Sequence, residues 1–336
     1  MTTMASQRQR LMLSELSPEA ILDLVESALG IRCTNLCRPY NSYINQVYEL
    51  ADSEGRGLVV KLYRPDRWSQ AALQDEHDFL CELAADEIPV IAPLPLRNGG
   101  TLGEHDGVYF AVFPKKGGRN PDEFTEEQWI ALGRLLGRVH LVGARQPALK
   151  RPLMHPGITT KAHLQYIFAS AHLPVECAET YQQISSAIID EILPLFAGIE
   201  SIRIHGDCHR GNLIYRPGES LHLIDLDDMV MGPPVQDLWM LLPGRVADCP
   251  REMELILEGY ETFRPFDRSN LLLVEALRAM RFIHYSAWCA MQVSGDGVSR
   301  IIPDFGSPRY WQAETEDLAD QLKHIRERAT VSDWPF

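Results

Sequence analysis

The chain has 336 residues, 45% of them apolar and 23% charged, the balance of a globular protein with room for one large domain or two sharing a cleft. Acidic residues outnumber basic ones by 46 to 32, for a formal charge of −14, which argues against non-specific nucleic-acid binding and is compatible with a cationic substrate. The start, MTTMASQRQRLMLSELS, has no apolar stretch of signal-peptide length and no transmembrane-length apolar run occurs anywhere, so no membrane span is expected and the cytosol is the expected compartment.

In chain order, SPEAILDLVESALG (17–30) predicts a helix, with Ser17 as N-cap, Pro18 at the first helical position, Glu19 in the first turn and Gly30 as the stop. INQVYEL (44–50) and GLVVKLYR (57–64) read as two strands joined by the turn ADSEGR. QAALQDEHDFLCELAAD (70–86) has helical apolar spacing, and IPVIAPLPL with GVYFAVFP (107–114) reads as another strand pair. KKGGRNP (115–121) is a glycine-rich connector. Beyond it EEQWIALGRLLGRVHLVGA (126–144), most of 160–197 and most of 250–330 are helical in pattern, interrupted at 202–228 by the short apolar runs SIRIH, NLIY and LHLID. The expected architecture is α+β and two-lobed: a small antiparallel-sheet lobe over 1–115 and a larger, mainly helical lobe over 116–336. The seven cysteines are odd in number and scattered, the pattern of reduced thiols rather than of a disulfide scaffold or a zinc site.

Chemistry concentrates in SIRIHGDCHRGN (201–212) and the following LIDLDD. His205, Asp207 and Asn212 have the H-x-D-x-x-x-x-N spacing of a kinase catalytic loop. Moving a phosphoryl group from ATP requires a carboxylate at the acceptor hydroxyl and hard oxygen ligands for magnesium. Asp207 suits the first role. Asn212 and Asp225, the latter returned by the hairpin NLIY–RPGES–LHLID, suit the second. A lysine for the α- and β-phosphates is also needed, and Lys61 sits in the apolar run of a sheet-lobe strand. Glu76 on the following helix is its expected partner, with Asp75 and Asp78 as rivals because one sequence does not set helix rotation.

HGDCHRGNLIY, LIDLDDMVMGPPVQDLW and VVKLYRPDRW resemble the aminoglycoside phosphotransferase and choline kinase family, which has a protein-kinase-like fold. RPYNSYINQVYEL, YFAVFPKKGGR, QDLWMLL and EALRAMRFIHYSAW are similar to its bacterial stress response kinase A branch. The resemblance implies a cytosolic enzyme, dependent on ATP and magnesium, that phosphorylates serine and threonine on proteins and on itself. It implies Asp207 as proton acceptor, Asn212 and Asp225 as magnesium ligands, and Ser42 as an ATP contact.

Several features depart from ordinary protein kinases. No G-x-G-x-x-G covers the phosphates; Asn41 and Ser42, in the turn RPYNSYINQ, are the replacement donors. The metal triplet is Asp225-Leu226-Asp227, and no A-P-E segment follows. Phe113 or Lys115 reads either as an adenine contact through the backbone, since Pro114 has no N–H to donate, or as an ordinary strand end. Asp227 reads either as a ligand for a second ion or as a turn residue, and Asp237 as a cap that braces the catalytic loop. Phe282, Tyr285, Trp288, Tyr310 and Trp311 read first as core and second as an acceptor lining. The alternative to a protein kinase is a small-molecule kinase acting on an amino alcohol, sugar or aminoglycoside. A silent ATP-binding scaffold is disfavoured because Lys61, Asp207 and Asp225 are all present.

Overall fold

In the computed structural model of the chain, which describes residues 16–120, 123–216, 218, 221–296 and 302–327, the first helix (α1, Pro18–Leu29) begins and ends on the residues whose chemistry favours it. The Ser17 hydroxyl accepts from Ala20 N–H at 3.3 Å, and Gly30 takes the left-handed φ of +70°. The first fifteen residues, read above for a leader, and residues 217, 219 and 220 of the RPGES turn lie outside the described residues. The chain clusters into two units. One comprises the residues up to 124 with 148–151 and 209–229; the other comprises 125–147, 152–208 and 230 onward.

The first unit carries a five-stranded antiparallel sheet of β1 (Cys33–Pro39), β2 (Gln46–Asp52), β3 (Gly57–Leu62), β4 (Gly103–His105) and β5 (Val108–Pro114), in the order β1-β2-β3-β5-β4. Strand alternation sorts its faces. Leu58, Val60 and Leu62 of β3 join Leu50, Phe110 and Val112 in a core with Ile21 and Val25 of α1. Ala111, across the ladder from Lys61, packs instead with Tyr63 and with Leu73 of α2 (Gln70–Ala85). Lys61 is thereby on the α2 side of the sheet.

Two strand assignments differ from the sequence reading. CTNLCRP (33–39) is an edge strand whose largely exposed residues, with apolar and polar types in no alternating order, give no strand signal to detect. IPVIAPLPL is not a strand: Pro89, Pro93 and Pro95 remove donors from any ladder, and β5 pairs with Gly103–His105 instead. The run contributes Leu94 N–H to Val112 O at 2.7 Å. Within the same unit Leu213–Ile214 pairs antiparallel with His222–Leu223, the hairpin expected around RPGES.

The second unit is helical apart from the short antiparallel pair Ile202–Ile204 and Val230–Gly232. Its helices are α3 (Glu126–Gly143), α4 (Lys161–Ala169), α5 (Val175–Ile192), α6 (Val235–Trp239), α7 (Pro250–Tyr260), α8 (Val274–Asp296) and α9 (Pro308–Arg326). Thr125 and Gln128 form a capping box at the start of α3. Of the five aromatics read first as core, Trp311 is fully buried and edge-on to Tyr181 with ring centroids 4.9 Å apart, whereas Phe282, Trp288 and Tyr310 are half-buried. Tyr285 and Trp288 stack at 5.7 Å, with Tyr285 exposed. None of the seven cysteines, all among the described residues, is in a disulfide. No helix of the described residues is long and apolar enough to cross a membrane.

Helices α3 and α7 approach so closely that glycine is required at the crossing. A Cβ on Gly133 would collide with the Ile256 carbonyl, one on Gly259 with the Ile130 carbonyl, and one on Gly137 would lie 2.7 Å from the Tyr260 carbonyl. Gly133→Ala therefore forces the two backbones apart and is expected to lower stability by about 1–3 kcal/mol. A thermal or denaturant midpoint equal to that of the unaltered protein would show that the helices separate at no cost.

Candidate functional site

The site residues fall into two groups, one in each unit. In the first, Lys61 Nζ donates to Asp225 Oδ1 at 3.3 Å. It also lies 3.1 Å from Asp227 Oδ1, an ion pair not aligned as a hydrogen bond, and 5.1 Å from the centre of the Tyr63 ring. Burial opposes the ammonium's charge. Asp227, Asp225 and the nearby Glu76 outweigh it and hold the Lys61 pKa well above the ordinary value.

The two aspartates differ. Asp225 has left-handed backbone, φ 60° and ψ 64°, an uncommon conformation that aspartate tolerates better than most residues. Leu226–Asp228 then form a 3₁₀ turn, so the strand alternation that would align Asp225 with Asp227 has already ended. The Asp225 side chain is 56% exposed, that of Asp227 only 5%. Asp227 Oδ2 accepts from Asn45 Nδ2 at 3.1 Å and from Arg67 Nη1, while Arg67 Nη2 donates to Asp228 Oδ1 at 2.6 Å. Burial alone would favour the protonated acid, but Lys61 and Arg67 hold the Asp227 carboxyl below the usual range. With its oxygens committed to cations and an amide, Asp227 is an anchor for the turn.

Asn212 meets this turn through the hairpin. Its carbonyl accepts from Ile224 N–H at 3.0 Å, which sets it beside the residue preceding Asp225. Asn120, which the sequence reading missed, staples the same loop by donating to the carbonyls of Gly211 and Leu213 at 2.7 and 3.1 Å. Asp225 and Asn212 offer carboxylate and amide oxygens, the donors a hard dication such as magnesium prefers. Among the described residues no three or more His, Cys, Asp or Glu are grouped to hold a metal by themselves. One carboxylate and one amide fit an ion that also takes oxygens from substrate phosphates.

Glu76 is not paired with Lys61. Its buried Oε2 accepts from Arg151 Nη2 at 2.5 Å. Arg151, with a fully buried side chain, also donates to Ala72 O at 2.8 Å and Asp227 O at 2.7 Å, and its guanidinium lies 4.3 Å from the Trp68 ring centre. The rivals are engaged elsewhere too: Asp75 accepts from Lys150 N–H and Asp78 from Gln74. The rotation of α2 settles the question. A single arginine in the run ALKRPLM gives no periodic signal, which is why Arg151 went unread.

Asn41 and Ser42 lie exposed in the turn between β1 and β2, while Asn45 of that segment reaches Asp227. Phe113 takes the second of its two readings, an ordinary strand end. Lys115 N–H bonds Gly57 O at 2.9 Å and Tyr63 N–H bonds Tyr109 O at 2.8 Å. Alternation along the ladder makes Val59 and Phe113 a hydrogen-bonded pair, so the main-chain groups of Phe113, like the Lys115 N–H, are committed to the sheet.

In the second unit the loop carrying Asp207 is braced from behind by α6. Asp237, fully buried, accepts from His205 N–H at 2.8 Å and Gly206 N–H at 2.9 Å. Gln236 donates to Gly206 O at 3.1 Å, and Gly206 takes φ +84°, which favours glycine. His140 Nε2 lies 3.0 Å from Asp237 Oδ2 and His140 Nδ1 3.0 Å from the Tyr260 hydroxyl. The carboxylate only accepts, so Nε2 carries a proton directed at Asp237. This is the bracing expected of Asp237, although the N-cap of α6 is Pro234. Asp207 Oδ1 accepts from Arg281 Nη1 of α8 at 2.8 Å. Cys208 is fully buried, and burial together with the Asp237 and Asp207 charges pushes its thiol pKa well up, so it is no nucleophile.

The sequence pattern of the phosphotransferase enzyme family matches residues 37–273. Stress response kinase A of Escherichia coli is 37% identical over 320 residues, covering 93% of this chain and 94% of the relative. A serine/threonine protein kinase RdoA of Salmonella typhimurium is 36% identical over 313 residues, with the same coverage. Among solved structures, the amicoumacin kinase hAmiN in complex with AMP-PNP, Ca2+ and Ami superposes with a TM-score of 0.72 over 97% of this chain and 98% of that one, at 18% identity. That likeness is one of fold, and the fold is the protein-kinase-like α+β arrangement expected from the sequence.

Proposed function

The chain belongs to the phosphotransferase enzyme family, and we propose that it moves the γ-phosphoryl group of ATP to serine and threonine hydroxyls of proteins, itself included. The observation that carries this reading is a buried Lys61 ammonium paired with Asp225, on a hairpin that sets Asn212 against Ile224. Lys61 is the group for the phosphate oxygens. Asp225 and the Asn212 amide oxygen are the ligands for magnesium, which when bound neutralises charge on the transferring phosphoryl group. Asp207 orients the acceptor hydroxyl and takes its proton, and the Asp237 brace holds its backbone in place. Asn41 and Ser42, on their exposed turn, serve the phosphates. Glu76 acts at one remove through Arg151. The seven thiols outside disulfides fit a reducing compartment such as the cytosol.

A protein acceptor is supported by the names of the relatives at 36–37% identity, a stress response kinase and a serine/threonine protein kinase. The second reading is a small-molecule kinase acting on an amino alcohol, sugar or aminoglycoside. The net charge of −14 favours a cationic acceptor of that kind, and the same catalytic groups serve both. Labelled ATP with magnesium and a generic protein substrate separates them. Label in protein is expected; label confined to small alcohols would sink the protein-kinase reading.

Nucleotide binding tests Lys61 directly. Each variant is measured against its own nucleotide-free midpoint, since Lys61→Ala also removes a cation from Asp227. Lys61→Ala is expected to weaken Mg-ATP binding at least about tenfold, cutting the stabilisation from saturating nucleotide by about 1.4 kcal/mol. An undiminished thermal shift would remove Lys61 from the nucleotide site.

A further inference from the structure

We propose that Arg281 sets the charge of the acceptor, favouring a hydroxyl flanked by an anionic group and disfavouring one flanked by amines. This rests on the reading of Asp207 as the residue that meets the acceptor hydroxyl.

Arg281 is fixed at its base and partly exposed along its side chain. It lies within α8, whose Leu277, Met280, Ile283 and Ala287 are buried and hold the helix in place. The Arg281 side chain is 38% exposed, and it pairs with an Asp207 side chain that is 26% exposed. Nη1 donates to Asp207 Oδ1 and lies 3.8 Å from Met240 Sδ. Met240 in turn accepts from Gln236, the residue that holds the Gly206 carbonyl. Nothing in the phosphoryl-transfer role of Asp207 requires this arginine, because Asp237 and Gln236 already position the loop.

The ion pair has two consequences for an incoming acceptor. A hydroxyl that engages Asp207 must share the carboxylate with a guanidinium or displace it. A partner with its own carboxylate or phosphate beside the hydroxyl gives the displaced guanidinium a new bidentate site, so the exchange costs little. An amine beside the hydroxyl meets a like charge at the Asp207 carboxylate. Repulsion of this kind is how a surface rejects the wrong partner. The net charge of −14 draws cations towards the molecule as a whole, but selection at the reacting hydroxyl falls to the group in contact with Asp207.

The surface next to Arg281 suits an extended chain. Tyr285 and Trp288 follow it at i+4 and i+7 on α8 and stack on one another, with Tyr285 exposed. A guanidinium followed by a stacked aromatic pair along one helix stripe fits a peptide with an acidic residue and an apolar residue near its serine.

The test uses the full chain with magnesium and labelled ATP, and two matched acceptor pairs. One pair is a serine peptide with acidic or basic flanks; the other is a hydroxy acid or an amino alcohol of equal carbon count. The protein as it stands is expected to favour the acidic member in kcat/KM by about tenfold, the effect of one close charge pair. Arg281→Glu is expected to invert the ratio, and Arg281→Lys to keep its sign. A nucleotide-induced thermal shift for each variant confirms that it is folded. An acid-to-base ratio that is the same in Arg281→Glu as in the unaltered chain overturns the inference. Label in the small alcohols alone defeats the protein-kinase reading, and the ratio within that pair then decides the role of Arg281. No label in any of the four acceptors overturns both.

Discussion

Asp207→Asn is expected to lower phosphoryl transfer by about 10²- to 10⁴-fold, the range a positioned general base contributes. Asparagine keeps the size of the side chain and an oxygen for Arg281, and the Asp237 and Gln236 bonds to the loop's main chain do not involve the substituted group. The loss is therefore chemical rather than a collapse of the loop. Mg-ATP stabilisation should be preserved, because the groups assigned to nucleotide and metal are Lys61, Asn212 and Asp225. The combination separates two explanations that a rate alone does not. A slow enzyme that still binds nucleotide has lost its proton acceptor, whereas one that has also lost binding has been disturbed more widely. Turnover within twofold of the unaltered protein would take Asp207 out of the reaction.

The sequence was most readable where one residue type has one physical use. Ser17, Pro18 and Gly30 bound a helix because a hydroxyl acceptor, a missing N–H and a left-handed turn each suit one position. Lys61 could be read because an ammonium in an apolar strand needs a partner, and the hairpin could be read because two apolar runs flank a proline-glycine turn. What the pattern did not carry was the identity of partners distant along the chain. Lys61 needed an anion, and Glu76 needed a cation, but the choice between Asp225, Asp227 and Glu76 for one, and Lys61 and Arg151 for the other, depends on the rotation of α2 and the path of residues 148–151. Arg67 was visible in VVKLYRPDRW without anything to say that it reaches Asp227 and Asp228. The strand reading failed at IPVIAPLPL for a simpler reason: apolar periodicity was counted without weighing three missing N–H groups.

Arg151→Met is expected to destabilise the chain by about 3–5 kcal/mol, because it leaves the Glu76 carboxylate buried without its cation. The same change frees the carbonyls of Ala72 and Asp227 from their donor, and so loosens α2 from the 225–228 turn. The second variant, Arg151→Met with Glu76→Gln, removes the stranded charge along with its partner. It should recover a large part of the loss, as a double-mutant cycle between contacting groups does. The single variant also bears on nucleotide binding. Glu76 already acts on Lys61 as one of the charges that keep it protonated, after Asp227 and Asp225. With Arg151 gone, Lys61 becomes the remaining cation in the Glu76 field, and its pairing with Asp225 must compete with Glu76. Mg-ATP affinity should then fall in Arg151→Met and return in the double variant, where Glu76 no longer carries charge. If single and double variants were equally unstable, the Arg151–Glu76 pair would count for no more than the two main-chain bonds. If affinity failed to return with Glu76→Gln, Glu76 would have no electrical hold on Lys61. Arg151 satisfies the buried Glu76 acid, and the cycle measures whether that pairing also keeps Lys61 directed at Asp225.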